Sequence, residues 1–202
     1  MLNLPKATEV NKALSKKSIY TKFNLNSADK YKFDEDIKKI VIANEISPVT
    51  TNIQIGETIP AFFVLHIVLK KAVFNEKNLI LISKLINQKM VLALEFENKI
   101  KLAVYHYKLI QSDWKTAKDQ KIELKGLNLD TVWENMLIQI GVITLENNNS
   151  VEEQIKLNEV RQKLGKQILN IERQARVEKQ PKRKLERVEQ IRVLKKELEG
   201  DC

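Results

Sequence analysis

The sequence predicts an α+β fold, a mixed or antiparallel sheet flanked by helices, followed by a C-terminal helical hairpin or coiled coil. Three observations carry this expectation. Up to about residue 141, β-branched runs alternate with stretches whose apolar residues recur every three or four positions. The last aromatic residue is Trp133, and from Ile155 onward the apolar residues take a heptad spacing instead. Pro181 interrupts that spacing, which resumes beyond it. With 202 residues, 43% of them hydrophobic, the chain can bury a core, and its five Gly and four Pro exclude a collagenous or loop-dominated protein.

The first helix is expected over Ala28–Ile37 after Ser27, with Phe33 and Ile37 four apart on one face. Strands follow at Ile40–Ile46, which stops at Ser47 and Pro48, and at Asn52–Ile55, which alternates and stops at Gly56. Phe62–Leu69 is apolar on both faces, the pattern of a central strand covered on two sides. Asn75 caps a helix whose stripe is Leu79, Ile80, Ser83 and Ile86, ending at Gln88 and Lys89.

A strand pair comes next. Met90, Leu92, Leu94 and Phe96 share one face, as do Ile100, Leu102, Val104 and His106. Pairing the two apolar sets requires an odd-length turn at Glu97, Asn98 and Lys99, because a two-residue turn would set lysines opposite leucines. Ile122 and Leu124 suggest a short edge strand before Gly126, and Leu129, Val132, Trp133, Met136 and Ile140 trace an amphipathic helix that stops at Gly141.

Asn147, Asn148, Asn149 and Ser150 then mark a boundary, Ser150 reading as an N-cap with Glu152 and Glu153 in the first turn. The expected division is an α+β domain over residues 1–148 and a basic helical arm over 149–202. In the arm, Leu157, Arg161, Leu164, Ile168, Ile171 and Ala175 form a heptad seam with one polar intruder. Beyond a break at 178–182, a second helix carries Leu185, Val188, Ile191, Leu194 and Leu198. The two helices either fold back as an antiparallel hairpin or continue as a kinked coil.

Lys and Arg total 35 against 26 Asp and Glu, a net charge of +9 with a pI near 9.4. The excess is local. Between residues 173 and 196 the cations are 173, 176, 179, 182, 183, 184, 187, 192, 195 and 196, and the acids are 178, 186 and 189, ten against three. The single cysteine, Cys202, excludes an intrachain disulfide and a cysteine-based zinc site. No apolar leader or bilayer-length segment occurs, so a cytoplasmic protein is expected. Serine-nucleophile, P-loop and glycine-rich phosphate motifs are absent, and neither a cofactor nor a metal is expected.

Short strings recur in order along nearly the whole chain: Leu4-Pro5, Val10-Asn11-Lys12, Asn44-Glu45-Ile46-Ser47-Pro48, Asn52-Ile53, Gln88-Lys89-Met90, Leu102-Ala103-Val104-Tyr105-His106, Gly126-Leu127-Asn128-Leu129-Asp130, Val132-Trp133-Glu134-Asn135 and Glu178-Lys179-Gln180-Pro181. Through them the chain resembles the bacterial family catalogued as domain of unknown function 4391. The resemblance implies company rather than chemistry: such proteins are similar to those encoded beside helicases and DNA methyltransferases in restriction or phage-defence clusters.

Several groups can be weighed as chemistry. The expected order of helix, three strands, helix and strand resembles the core of the PD-(D/E)xK nucleases, whose metal site needs an acid on the second strand and acid-x-Lys on the third. Here the third strand offers Val68-Leu69-Lys70 and the second Asn52 and Gln54, which suits a catalytically dead relative better than a working nuclease. Glu97-Asn98-Lys99 and Glu123-Leu124-Lys125 match Glu-x-Lys literally, yet a hairpin tip and an edge strand read more plainly as solvated charge. His66 and His106 fall on apolar strand faces, where a satisfied core contact is the plainer role. Tyr105 and Tyr107 share a face with Lys99 and Lys101, a pattern of base stacking as well as of packing under a helix.

The basic arm is the better lead. Lys179, Lys182, Arg183, Lys184 and Arg187 are the candidate nucleic-acid contacts, and Leu164, Ile168, Ile171, Leu185, Ile191 and Leu198 the candidate partner contacts. No catalytic residue is assigned. The expected function is a non-catalytic accessory or adaptor subunit of a bacterial DNA-processing complex, in restriction or phage defence. It would bind a protein partner, by the resemblance a helicase or methyltransferase subunit, or a second copy, together with nucleic acid and no membrane. The alternatives are a degenerate PD-(D/E)xK-like metal-dependent nuclease and a simple dimerisation protein.

Overall fold

The computed structural model describes residues 2–141, 143 and 149–200. The expected boundary at residue 148, with Asn147 and Asn148, and the terminal Cys202 lie outside the described residues. Two units form, Met1–Ile143 and Thr144–Cys202.

The first unit is a mixed sheet between helices. Its strands are β1 (Glu9–Ala13), β2 (Ile37–Ile46), β3 (Phe62–Leu69), β4 (Lys89–Phe96), β5 (Lys99–His106), β6 (Lys108–Gln111) and β7 (Lys115–Thr116). They lie in the order β1-β2-β3-β4-β5-β6, with β7 also paired to β5. Every pairing is antiparallel except β3 with β4, and a parallel pair needs a crossover. The helix at Glu76–Ser83 is that crossover. The helices of this unit are α1 (Lys16–Lys22), α2 (Ser27–Asp36), α3 (Pro48–Thr51), α4 (Glu76–Ser83) and α5 (Leu129–Gly141).

Because successive strand residues face opposite ways, the apolar run of β3 supplies two cores. Leu65, Ile67 and Leu69, with Leu92 and Leu94 of β4, pack against Ile19 of α1, Phe33 of α2 and Leu79 and Ile82 of α4. Phe62 serves the other face, where its ring meets Trp133 of α5 edge-on at 5.4 Å. Helix α5 buries Leu129, Val132, Trp133, Met136, Leu137 and Ile140, which contains the expected stripe entire.

Two carboxylates tie these layers together. Asp36, at the end of α2, accepts from the Asn75 backbone N–H and the Asn78 side chain, each at 2.8 Å, and pairs with Lys71 at 2.9 Å. It thereby pins the start of β2 to the N-terminus of α4, where Asn75 caps through its side chain as expected. Asp130, in the first turn of α5, accepts from the Thr58 hydroxyl at 2.8 Å and from the Thr58 and Ile59 N–H groups at 3.1 and 2.9 Å. Gly56 lies so close that a Cβ there would stand 2.4 Å from an Asp130 carboxylate oxygen. Asn128 caps the same helix by accepting from Thr131 N–H at 2.9 Å. Much of the Gly126–Asp130 string is therefore a clasp.

The structure corrects several expectations. Asn52–Ile55 is not a strand. Ser47 and Pro48 open the short helix α3 instead of ending a strand into a turn, Asn52 closes it at a left-handed φ of 57°, and Gln54 makes only an isolated bridge to Asn128. Two strands rather than three thus separate α2 from α4, and the element order expected of the nuclease core is not formed. Helix α2 starts one residue earlier than expected, at Ser27 with Asn26 as its cap, and Ile37 already belongs to β2, where it is buried. Helix α4 stops at Ser83 and turns Asn78, Leu79 and Ile82 inward.

The β4–β5 turn has two residues, because Phe96 pairs with Lys99 and Leu94 with Lys101. The one-face argument for an odd turn fails because both faces are covered here: consecutive residues from Met90 to Leu94 are all buried. Lys101 is accommodated by laying its ammonium 5.4 Å from the Trp114 ring centroid. Ile122 is buried but belongs to no strand, its N–H bonding the Leu2 carbonyl at 3.0 Å. Strands β1, β6 and β7 carried no apolar alternation by which to be read.

The second unit holds α6 (Val151–Val177) and α7 (Pro181–Gly200), packed against each other. Ser150 caps α6 and Glu153 completes a reciprocal capping box, its carboxylate accepting from the Ser150 N–H at 2.9 Å. Pro181 stands at the first position of α7, where its missing N–H costs nothing. No helix among the described residues is long and apolar enough to cross a membrane.

Candidate functional site

The helical unit is an antiparallel hairpin, and ion pairs between its helices show the register. Lys195 reaches Glu172 at 3.1 Å, while nearer the turn Arg187 pairs with Glu178 at 3.0 Å and donates to the Gln174 carbonyl at 2.7 Å. Residues further from the turn on one helix thus meet residues further from it on the other. Glu178 also accepts from the Gln180 N–H at 3.1 Å. That backbone bond, with the Arg187 guanidinium, outweighs the opposing effect of burial and holds the Glu178 carboxyl below its ordinary range.

This locking sorts the expected nucleic-acid residues into two groups. Arg187 is turned into the hairpin and spent on Glu178 and Gln174. Lys179, Lys182, Arg183 and Lys184 are exposed around the turn, and among the described residues none of these four has a carboxylate within ion-pair distance. Of the flanking acids, Glu178 is already engaged by Arg187, and Glu186 makes no ion pair with these four among the described residues. Four cations therefore stand together on the tip of a braced hairpin.

The expected partner residues also divide. Leu164 and Ile168 are buried at 7% and 6% exposure and serve the chain's own packing, which removes them from any free docking surface. Ile171, Ile191 and Leu198 are half-buried. Leu185 alone of the set is well exposed, at 71%, and Val188 and Val193 on the same helix are exposed with it. A shallow groove lined by Ile171, Glu186, Glu189, Gln190, Val193 and Leu194 runs beside them.

In the sheet unit, the positions weighed for chemistry are dispersed. His66 contacts the Glu95 carboxylate across the parallel β3–β4 pair, partly exposed, so this histidine has a polar partner on a face read as apolar. His106 is buried on β5 with its ring 4.7 Å from that of Tyr107. Glu97 and Asn98 form the hairpin turn, and Glu123 and Lys125 pair only with each other among the described residues. Lys70 follows the end of β3 and its N–H bonds the Asp36 carbonyl at 2.8 Å. Lys101 and Tyr105 lie on the face that packs Leu92 and Leu94, and Tyr105 stacks with Lys84 at 5.1 Å. Among the described residues, no group of three or more His, Cys, Asp or Glu comes together as a metal site would require.

Lys22, Lys84 and Lys89 line one cleft although they come from three separate parts of the chain. Lys22 falls in a basic N-terminal stretch and Lys89 in the Gln88-Lys89-Met90 string, yet nothing in the sequence groups the three, and only the fold makes them neighbours.

No curated protein and no solved structure matches the chain significantly. The family model described as Domain of unknown function (DUF4391) matches residues 2–198, spanning both units. Matched over nearly its whole length, the chain belongs to the DUF4391 family.

Proposed function

We propose that this protein is a non-catalytic accessory subunit of a nucleic-acid-processing assembly, and that its C-terminal hairpin is the binding element. The observation that carries the reading is the tip of that hairpin, where Lys179, Lys182, Arg183 and Lys184 stand exposed while Glu178 is neutralised by Arg187. Each cation that meets a phosphate releases condensed counterions, so affinity for a polyanion falls steeply with salt. A rigid turn presents the four charges together, which limits the side-chain and backbone entropy lost on binding. The partner implied by the family resemblance is a helicase or methyltransferase subunit of a restriction or phage-defence system, and a cytoplasmic location accords with it.

A gel-shift titration of duplex DNA at two salt concentrations tests this reading. The wild-type chain binds at low salt, and Lys182→Gln/Arg183→Gln/Lys184→Gln lowers affinity and reduces the magnitude of the log K against log salt slope by about 3. Absence of binding at low salt by the wild-type chain would sink the nucleic-acid role.

A second reading, simple dimerisation, is favoured by the exposure of Leu185, Val188 and Val193 along α7. It requires a concentration-dependent dimer in sedimentation that Leu185→Glu/Val193→Glu abolishes. A monomer at all concentrations excludes it.

A further inference from the structure

The N-terminal ends of the parallel strands β3 and β4 open onto a cleft of 530 Å³ in the sheet unit, remote in sequence from the hairpin. Three lysines reach it. Lys22 ends α1, Lys84 follows the last turn of α4, and Lys89 begins β4. Asn87 and Gln88 lie between the last two on the cleft wall, with Thr58 and Ile59 across from them in the loop that Asp130 clasps.

What holds these lysines is unusual for exposed cations. Lys22 lies 5.8 Å from the Phe23 ring centroid, Lys84 5.1 Å from that of Tyr105, and Lys89 5.9 Å from that of Trp133. Lys22 also donates to the Leu85 carbonyl at 2.6 Å. No carboxylate pairs with any of the three among the described residues. Asp130, the acid bonded to the wall, has its oxygens occupied as acceptors from the Thr58 hydroxyl and from the Thr58 and Ile59 N–H groups.

The distinction matters physically. An ion pair would neutralise an ammonium group, whereas an aromatic face positions it and leaves the charge to act on whatever enters. Three like charges lining one cleft repel one another, and an anion that enters it is attracted by each. The volume falls in the range of small-molecule sites, well above what a lone inorganic ion needs. Asn87 and Gln88 add amide donors and acceptors, which suit the polar edge of a base.

We propose that this cleft binds a phosphate-bearing ligand of mononucleotide size, drawn in by the charges of Lys22, Lys84 and Lys89, of which Lys84 and Lys89 flank it from opposite faces of the sheet. The same chemistry is offered by a free nucleotide and by the phosphorylated end of a nucleic-acid strand, and the site is separate from the hairpin tip.

Titration calorimetry of the full chain at low salt, with adenosine 5′-monophosphate, a 5′-phosphorylated tetranucleotide and unphosphorylated adenosine, tests the proposal. Binding of the mononucleotide identifies a free nucleotide as the source, and binding of the phosphorylated tetranucleotide alone identifies a strand end. Either is weakened by about tenfold or more in Lys84→Gln/Lys89→Gln and largely kept in Lys84→Arg/Lys89→Arg. Lys22→Gln, whose side chain lies at a helix end, gives a parallel loss should the double variant unfold. Binding unchanged in Lys182→Gln/Arg183→Gln/Lys184→Gln separates this site from the hairpin. Failure of both phosphorylated probes to bind, equal binding of adenosine, or affinity indifferent to the Gln variants overturns it.

Discussion

Asp130 shows how much a single carboxylate organises here. Burial pushes its carboxyl up, but the hydrogen bonds from the Thr58 hydroxyl and from the Thr58, Ile59 and Glu57 N–H groups more than reverse that and hold it below the ordinary carboxylate range. Asp34 behaves alike: burial raises it, while Lys16 at 2.6 Å and the Tyr20 hydroxyl at 2.7 Å lower it further than burial raises it. A carboxyl depressed in the folded state stabilises above its unfolded value and loses that contribution as pH falls through the folded one. Melting temperature should therefore drop as pH is taken below about 4, and Asp130→Asn should flatten that limb in thermal melts across a pH series. At neutral pH, Asp130→Ala should lower unfolding free energy by about 2 kcal/mol in a urea titration, since it strands donors of the 56–60 loop. Neither role was legible beforehand. Asp130 belongs to a string that carried the family resemblance, but its partners lie some seventy residues earlier, and a charge pattern does not reveal a backbone acceptor role.

At the scale of elements, legibility followed one-sidedness. Helix α5 was readable because its apolar residues occupy a single face, and α6 and α7 because their seam is long and a proline separates them. Asn52–Ile55 misled because alternation over four residues also arises in a loop, while the Ser47-Pro48 pair before it is equally a helix start. The β4–β5 register misled because a strand covered on both faces has no polar side to betray a shift of one. That turn carries a residual tension, for Glu97 takes a φ of 54°, which non-glycine residues resist. Glu97→Gly should relieve it, raising stability by roughly 0.5 kcal/mol in chemical denaturation. A decrease would show that the Glu97 side chain supports the turn. The hairpin tip was visible as a run of charges, whereas the lysine cleft could not be, since its members meet only after β3 and β4 pair.

Across the whole molecule, the net charge of +9 is concentrated rather than spread. Ten of the cations fall between residues 173 and 196, and pairing within the hairpin takes up Arg187 and Lys195 while leaving the turn bare. The proposed nucleic-acid role belongs to this scale, because a localised field governs encounter rates as well as affinity. Family membership spans both units, so the hairpin belongs to the family's pattern as much as the sheet does.

The sheet's two borders have a consequence for how copies of this chain meet. On one side β1 is exposed at every residue, carries Lys12, and is broken by a register shift near Asn11 at a φ of 52°. On the other, the outer edge of β5 is shared by two short strands, β6 with four residues and β7 with two. Neither border offers the long, flat row of free amides that a foreign strand needs to zip on. Replacing Asn11 and Lys12 by valine should make the protein scatter light on concentration where the parent stays clear. Among the described residues, both margins of the sheet are thus ill suited to growth by strand addition.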